Sequence, residues 1–510
     1  MTELPVAPEL VDPSPVADWH RLDVRMLIVK PLNELLGLIP VFIGLLVFGN
    51  GDRWRAFVGV AVVVFIVGLG FLHWVTTRYR ITRDQVELHT GLVVRKRLAV
   101  PRDRIRTADL TAKLGHRIFG LSAIRVGTGQ HEKAGDDGLT LDAVSSAEAD
   151  RLRQVLLSRA SEPSTAEEST PGVVLSQLVP AWFRFAPLTL SGLVAVGTTF
   201  GVLTNYAQEL ELRPAAFGPL LDTVKWLRES PIAVTIGVLT AVVLVLAVFG
   251  SLVVYLVQFW GYRLTREADG TVRVRRGLLT TRSVSVEEQR LRGVEVQQPL
   301  LLRAGGGARC TAVTTGLGRK GESSLLLPPA PVGEAHRVAA EVLHVEDCPT
   351  SAPLRHHPWT ALRRRLVRGV VPVLLPIALL GGLARAGVLP NWPWEITVVL
   401  LPVAALLGWD RYRNLGHVLT ERYLVARSGS LVRETVALQR TGIIGWRLHR
   451  SFFQRRAGLV TVVATTAAGD GAYQVIDVAE ADGLALADAA VPELLRPFLV
   501  HDEADVRSAG

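Results

Sequence analysis

Hydrophobic and polar positions alternate between two regimes along this 510-residue chain. Long apolar runs come in pairs, at residues 32–75, 187–260 and 366–409, and each pair is followed by about 80 residues of short, Arg-rich, β-patterned segments. A self-similar period of that length marks a repeat architecture. Residues 232–257 hold no charge and exceed the roughly 20 residues that cross a bilayer. Residues 32–48 (interrupted by Pro40), 56–75, 188–206, 367–383 and 395–409 (holding Pro402) complete six predicted spans. Proline inside a span is tolerated where neighbouring helices pack.

The polar stretches break into short β-favouring runs between turn residues such as Asp84 and Gly91, and Asp269-Gly270 reads as a hairpin turn before the alternating stretch 272–276. Three copies share one skeleton. It opens with Tyr79, Ile81 and Thr82, then Tyr262, Leu264 and Thr265, then His417, Leu419 and Thr420. Gly91-Leu92, Gly277-Leu278 and Gly429 with Leu431 follow, and then Asp103-Arg104, Gln289-Arg290 and Gln439-Arg440. Predicted helices at 146–157, 332–343 and 479–490 end the copies, so each reads as an α+β module whose helix covers an open side of its sheet.

The fold class is therefore a polytopic α-helical membrane protein with α+β soluble modules: three transmembrane hairpins, each followed by a bent antiparallel sheet and a C-terminal helix. The predicted division is a tail at 1–25, hairpins at 26–76, 181–260 and 363–410, modules at 77–160, 261–345 and 411–498, linkers at 161–180 and 346–362, and a tail at 499–510. The acidic, Pro-containing stretch 161–172 and the shorter 346–353 read as flexible joints. In the loop 207–230, Phe217, Leu220, Leu221, Val224 and Leu227 recur at helical spacing and predict a short amphipathic helix on the outer surface.

Charge sets the expected orientation. The net charge is +9, and Arg363, Arg364, Arg365 and Arg368 precede the fifth span while Arg78, Arg80 and Arg83 follow the second. The loop 389–394 carries no charge, so the positive-inside rule places the termini and all three modules in the cytoplasm. The first 19 residues are acidic and Pro-rich, without the basic start and apolar run of a cleavable signal. Trp54, Trp74, Trp182, Trp260, Trp392, Trp394 and Trp409 fall near predicted span ends and read as membrane-interface anchors.

No catalytic constellation emerges. The glycine-rich stretch 127–137 with His131 lacks the Lys-[Ser/Thr] of a phosphate loop, no Gly-x-Ser-x-Gly elbow occurs, and His356-His357 reads as a solvated pair without ligand partners. Cys310 and Cys348 are too few for a disulfide framework and lack zinc-ligand spacing. No metal or cofactor is expected. A transporter or transport-accessory protein is the alternative reading, but ionisable residues stay at span ends, Glu34 and Arg385 being the nearest exceptions. Between residues 78 and 106, nine basic residues face three acidic ones. Arg78, Arg80, Arg83, Arg95, Lys96 and Arg97 are the candidate contacts to anionic lipid headgroups, beside the bland reading that they only set topology. Nucleic acid is excluded as a partner because no reading helix or aromatic platform accompanies the arginines.

The order of hairpin, Tyr-x-[Ile/Leu]-Thr strand, Gly-Leu turn, [Gln/Asp]-Arg-[Ile/Leu] strand and Arg-x-x-Gly-Leu strand resembles the bacterial pleckstrin-homology-like, membrane-flanked domain family of the YdbS/YdbT type, in three copies. The second copy departs with Gly305-Gly306-Gly307 and the third with His417. The resemblance implies a seven-stranded, strongly bent sheet closed by a C-terminal helix. It also implies a non-enzymatic scaffold or regulator at the bacterial inner membrane, engaging protein partners or anionic headgroups in envelope homeostasis.

Overall fold

The computed structural model describes residues 19–29, 53–82, 85–91, 96–102, 105, 107–127, 139–157, 172–209, 218–268, 270–315 and 324–495. The chain divides into two compact units, Met1–Thr165 with Thr280–Arg282, and Ala166–Leu279 with Ser283–Gly510. The first expected span, 32–48, and all of the glycine-rich stretch 127–137 except Gly127 lie outside the described residues.

In the first unit, strand β1 (His20–Arg21) precedes helix α1 (Arg53–Thr76), and the chain continues as β2 (Arg78–Ile81), β3 (Gln85–Thr90) and β4 (Lys96–Pro101). β1 to β4 pair in that order into an antiparallel sheet. Strands β5 (Thr107–Ala112), β6 (Leu121–Gly127) and β7 (Thr140–Ser145) form a second set, with the short helix α2 (Leu114–Ile118) before β6 and α3 (Ser146–Leu157) packed across all three. Alternation along β3 puts Val86 and Leu88 inward, where they meet Ile124 and Leu141 of the second set and Ala149 and Leu152 of α3. Leu22, in the predicted tail, and Met26 and Val29, at the start of the predicted first hairpin, are buried in the same core.

The second unit opens with β8 (Val173–Gln177), then helices α4 (Ser191–Glu209), α5 (Gly218–Glu229) and α6 (Ile232–Phe259). Helix α5 occupies the loop where an amphipathic helix is predicted, although Phe217 lies outside the described residues. β9 (Arg263–Arg266), β10 (Thr271–Arg276) and β11 (Thr281–Glu287) follow, with β8 pairing on β9. β12 (Leu291–Pro299), helix α7 (Leu300–Ala304), β13 (Gly307–Thr314), β14 (Leu325–Pro331) and α8 (Val332–Leu343) end the second copy. Helices α9 (Trp359–Arg385) and α10 (Trp392–Arg413) lead to β15 (Gly416–Leu419), β16 (Tyr423–Ser428), β17 (Val432–Gln439), β18 (Ile443–His449), α11 (Phe452–Arg456), β19 (Leu459–Thr466), β20 (Ala472–Ala479) and α12 (Glu480–Ala490).

Three features correct the sequence reading. First, among the described residues no copy forms one continuous bent sheet; in the second and third copies, as in the first, the strands split into a front set and a three-stranded back set, and β11 is not bonded to β12, nor β17 to β18. Second, β12 pairs with β17 from Gly293↔Leu438 to Pro299↔Val432, so copies two and three share a six-stranded sheet in the order β14-β13-β12-β17-β16-β15. Tyr423, Val425 and Ala437 of the third copy accordingly sit in the same core as Val294 and Val296 of the second. Third, the expected linkers are partly structural. β8 covers the edge of β9, Arg355 forms a bridge to His417, and Pro349 and Thr350 are buried, with Thr350 bonded to His336 at 2.7 Å. Each arm covers a strand edge whose N–H and C=O groups would otherwise face another chain.

Among the described residues, α6, α9 and α10 are long and apolar enough to cross a membrane, and Ser191–Gly201 of α4 is a shorter apolar stretch. Helix α4 packs on α6 and α9 on α10. A Cβ at Gly192 would collide with the Ala247 carbonyl, so glycine is what allows these backbones to approach closely, and the Gly192 N–H donates to Ser251 Oγ at 2.9 Å.

Backbone geometry carries the repeat. Gly91, Gly277 and Gly429, read as equivalent turns, have φ of 103°, 111° and 101°, a region open to glycine and strained for other residues. The three back sets slip register at matching places, Ser122/Ile124, Ala308/Cys310 and Val460/Val462. Gly306, at φ 72°, takes the place of Gly120 and Gly458. This aligns the divergent second copy, where the Phe185 ring fills the space beside Gly307.

Candidate functional site

The front sheet of the first copy carries a basic row. In its register Arg21 stands opposite Arg78, Arg78 opposite His89 and His89 opposite Arg97. Residues directly opposite share a face, and this is the one turned away from Tyr79, Val86 and Leu88. Arg21, Arg78 and Arg97 are exposed. The Trp19 ring lies 4.3 Å from that of His89, and the Arg80 guanidinium lies 4.8 Å over Trp19 while pairing with Glu87 at 2.8 Å. The row adjoins the end of α1: Arg21 lies 5.9 Å over Trp74, whose Nε1 donates to the Leu22 carbonyl at 2.9 Å.

Of the six candidate headgroup contacts, Arg78 and Arg97 thus stand in the row, Arg80 is on the same face but engaged, and Lys96 opens β4. Arg83 and Arg95 lie outside the described residues. Arg21, His89 and Trp19 escaped the sequence reading because only strand pairing brings them beside Arg78; the signal available was the Trp-His-Arg run ahead of the first span.

The tryptophans divide. Trp260 and Trp409 are half exposed at the ends of α6 and α10, with Arg413 5.3 Å over Trp409, and Trp54 is in the first turn of α1. Trp182 is a correction: at 5 % exposure it packs in a protein core, 6.3 Å from the Tyr262 ring. Its neighbours are strands and a helix, which no interface anchor has.

A second constellation joins the third helix pair to its module. His357, read as solvated, is buried; one ring nitrogen meets the Asp477 carbonyl at 3.0 Å and the other meets His417 Nδ1 at 3.2 Å. The Asp477 carboxylate is fully buried and takes Arg364 at 2.5 Å, Arg365 at 2.8 Å and Gln454 Nε2 at 2.8 Å. Such a site suits neutral imidazoles: burial pushes His417 down to about 4, with neighbouring His357 and Arg355 adding to the shift, and burial also lowers His357.

The acceptor carbonyl recurs. Three residues before α3, α8 and α12 respectively, Ala143 accepts from Asp23 N at 3.2 Å, Pro329 from the Tyr255 hydroxyl at 2.8 Å and Asp477 from His357. Tyr255 lies inside α6 and His357 just before α9, so in the second and third modules one strand position ties the module to its apolar helices. Ala143 and Asp477 adopt φ of 60° and 61° to present it.

Among the described residues no group of three His, Cys, Asp or Glu is arranged to hold a metal ion. Burial raises Cys310 far above the ordinary thiol range, which keeps it protonated and unreactive.

Residues 34–160, 218–346 and 371–489 each match the family described as "Bacterial PH domain". Over 460 residues the chain is 21 % identical to the "UPF0699 transmembrane protein YdbT" of Bacillus subtilis (strain 168), covering 85 % of this chain and 88 % of that protein. No solved structure matches.

Proposed function

The chain belongs to the bacterial PH domain family, and on that premise we propose that it is a non-enzymatic, membrane-held scaffold whose three modules face the cytosol and engage anionic lipid headgroups. The observation that carries this reading is the row of Arg21, Arg78, His89 and Arg97, set against the end of an apolar helix. Basic residues held beside an anionic leaflet contribute on the order of 1 kcal/mol each, and tethering multiplies weak contacts. The likeness to a protein named as transmembrane supports the inner-membrane setting, and the arginines at the sheet ends of the spans support the cytosolic orientation. Protein partners would assemble on the rigid pair of modules two and three, which share one sheet.

The test uses the full chain in detergent micelles doped with phosphatidylglycerol or phosphatidylcholine. Stabilisation by the anionic lipid alone, weakened by salt and by Arg78→Gln with Arg97→Gln, is the expected result. Equal response to both lipids would remove headgroup binding and leave protein scaffolding.

A further inference from the structure

The sheet end of the third helix pair encloses a cavity of about 280 Å³, lined by Arg365 and Arg368 of α9, Arg411 of α10, Ser428, Gly429 and Ile476. Arg365, 13 % exposed, is held by Asp477, which also takes Arg364. Arg368 and Arg411 have no acidic partner among the described residues, and nearby Asp410 is engaged by Arg303 at 3.0 Å and by Ser430 and Asn414. Asp477 is thus shared between Arg364 and Arg365, and the space itself is lined by three arginines, Arg365, Arg368 and Arg411, with no carboxylate in its lining.

Its location is the polar end of two membrane-length helices. Arg363, Arg364, Arg365, Arg368, Arg411 and Arg413 gather at this end, and the connection 386–391 at the other end holds no charge. The short helix α11 lies alongside, its N-cap Ser451 within 3.5 Å of Arg364. Phe452 and Phe453 project from it, 63 % and 73 % exposed, between Arg450 and Arg455-Arg456. Exposed aromatic rings bordered by arginine match the boundary between headgroups and acyl chains. In the second copy the corresponding helix α7 shows where this corner lies: Leu301 lines an apolar groove of about 450 Å³ with Leu193, Val243 and Ala247 of the apolar helix pair and with Leu190 just before it. That pair has its own cavity at its foot, about 390 Å³, with Arg276, Arg309, Thr189 and Ser191 in its lining. Arg276 precedes Gly277 as Ser428 precedes Gly429, so the two cavities open at equivalent turns.

We propose that the Arg365, Arg368 and Arg411 cavity binds the phosphate of an anionic membrane glycerophospholipid, with Phe452 and Phe453 seated in the adjoining acyl layer. Guanidinium groups suit this role because their planar donors pair with phosphate oxygens bidentately and never deprotonate. The inference rests on the headgroup reading above but assigns it to a surface separate from the basic row of the first sheet.

Native mass spectrometry of the full chain in detergent, titrated with phosphatidylglycerol, tests it. The wild type retains the lipid; Arg368→Gln with Arg411→Gln weakens retention roughly tenfold or more. Arg368→Lys with Arg411→Lys keeps most of it, and Ser428→Glu, which leaves every arginine in place, also lowers it. Arg78→Gln with Arg97→Gln leaves this site occupied. Wild-type retention in both the glutamine pair and Ser428→Glu overturns the inference, and if the Arg78 and Arg97 variant then loses lipid, the first-sheet reading stands alone. Insensitivity of every variant overturns both. Displacement of the lipid by an equal concentration of glycerol 1-phosphate overturns the lipid as occupant.

Discussion

The second and third modules solve the same junction with different chemistry. Where the second meets its helix pair, neutral hydroxyls close the contact: Tyr262 donates to the Leu326 carbonyl at 2.7 Å and Tyr255 to that of Pro329 at 2.8 Å. In the third, the position of Tyr262 holds His417, and the closure is His357, Asp477, Arg364 and Arg365. Fold and register are shared, so the difference lies in how the buried polar groups are satisfied. A hydroxyl needs one partner, whereas a buried carboxylate is tolerable only while its cations and donors remain. The third junction is therefore the one that removal of a single charge or a change of pH can open.

The largest break should follow Asp477→Asn, which strips Arg364 and Arg365 of their counter-charge; removing one partner from a buried pair costs about 3 kcal/mol or more. Thermal unfolding of the full chain in detergent should show a lowered first transition. Acidification comes next. His357 and His417 are neutral in the fold and titrate below their ordinary value, while in the unfolded chain they take up protons from about pH 6.5. Stability is thus complete above that value and is lost as pH falls toward about 4, where His417 titrates in the fold. A wild-type melting temperature that declines over this interval no more steeply than that of His357→Gln with His417→Gln would remove the imidazoles from the account. Tyr262→Phe should cost about 1–2 kcal/mol by leaving the Leu326 carbonyl unpaired, with no pH dependence, which sharpens the contrast between junctions. The smallest effect, about 1 kcal/mol, is expected for Arg440→Ala, whose guanidinium bonds the Ala489 and Ala490 carbonyls at the C-terminus of α12. The second module holds α8 by another arginine, Arg266 on the Glu341 carbonyl, and should be unaffected.

Much of this was legible in the chain because it depends on local physics. Gly91, Gly277 and Gly429 announce the turns they occupy, and Tyr79, Tyr262 and His417 are buried at matched positions. The basic excess after the first helix pointed toward the row at Arg78 and Arg97. His357 was misread because adjacent histidines in a polar stretch look solvated until strand β20 closes over one of them; His356 stays exposed. Strands β1 and β8 were missed for a related reason: such short arms have no pattern of their own and exist through pairing with β2 and β9, which lie tens of residues away.

Apolar runs and turn glycines by themselves determined three repeated modules interleaved with apolar helices, since each of these acts within a few residues or along one helix. The pairing of β12 with β17, the split of each copy into two sets of strands, the burial of Trp182 and the gathering of Arg365, Arg368 and Arg411 around one cavity were decided only by the tertiary structure. Partner choice between strands, and the convergence of charges from separate helices, are set by which surfaces remain to be covered once the local elements exist, and no local pattern encodes that.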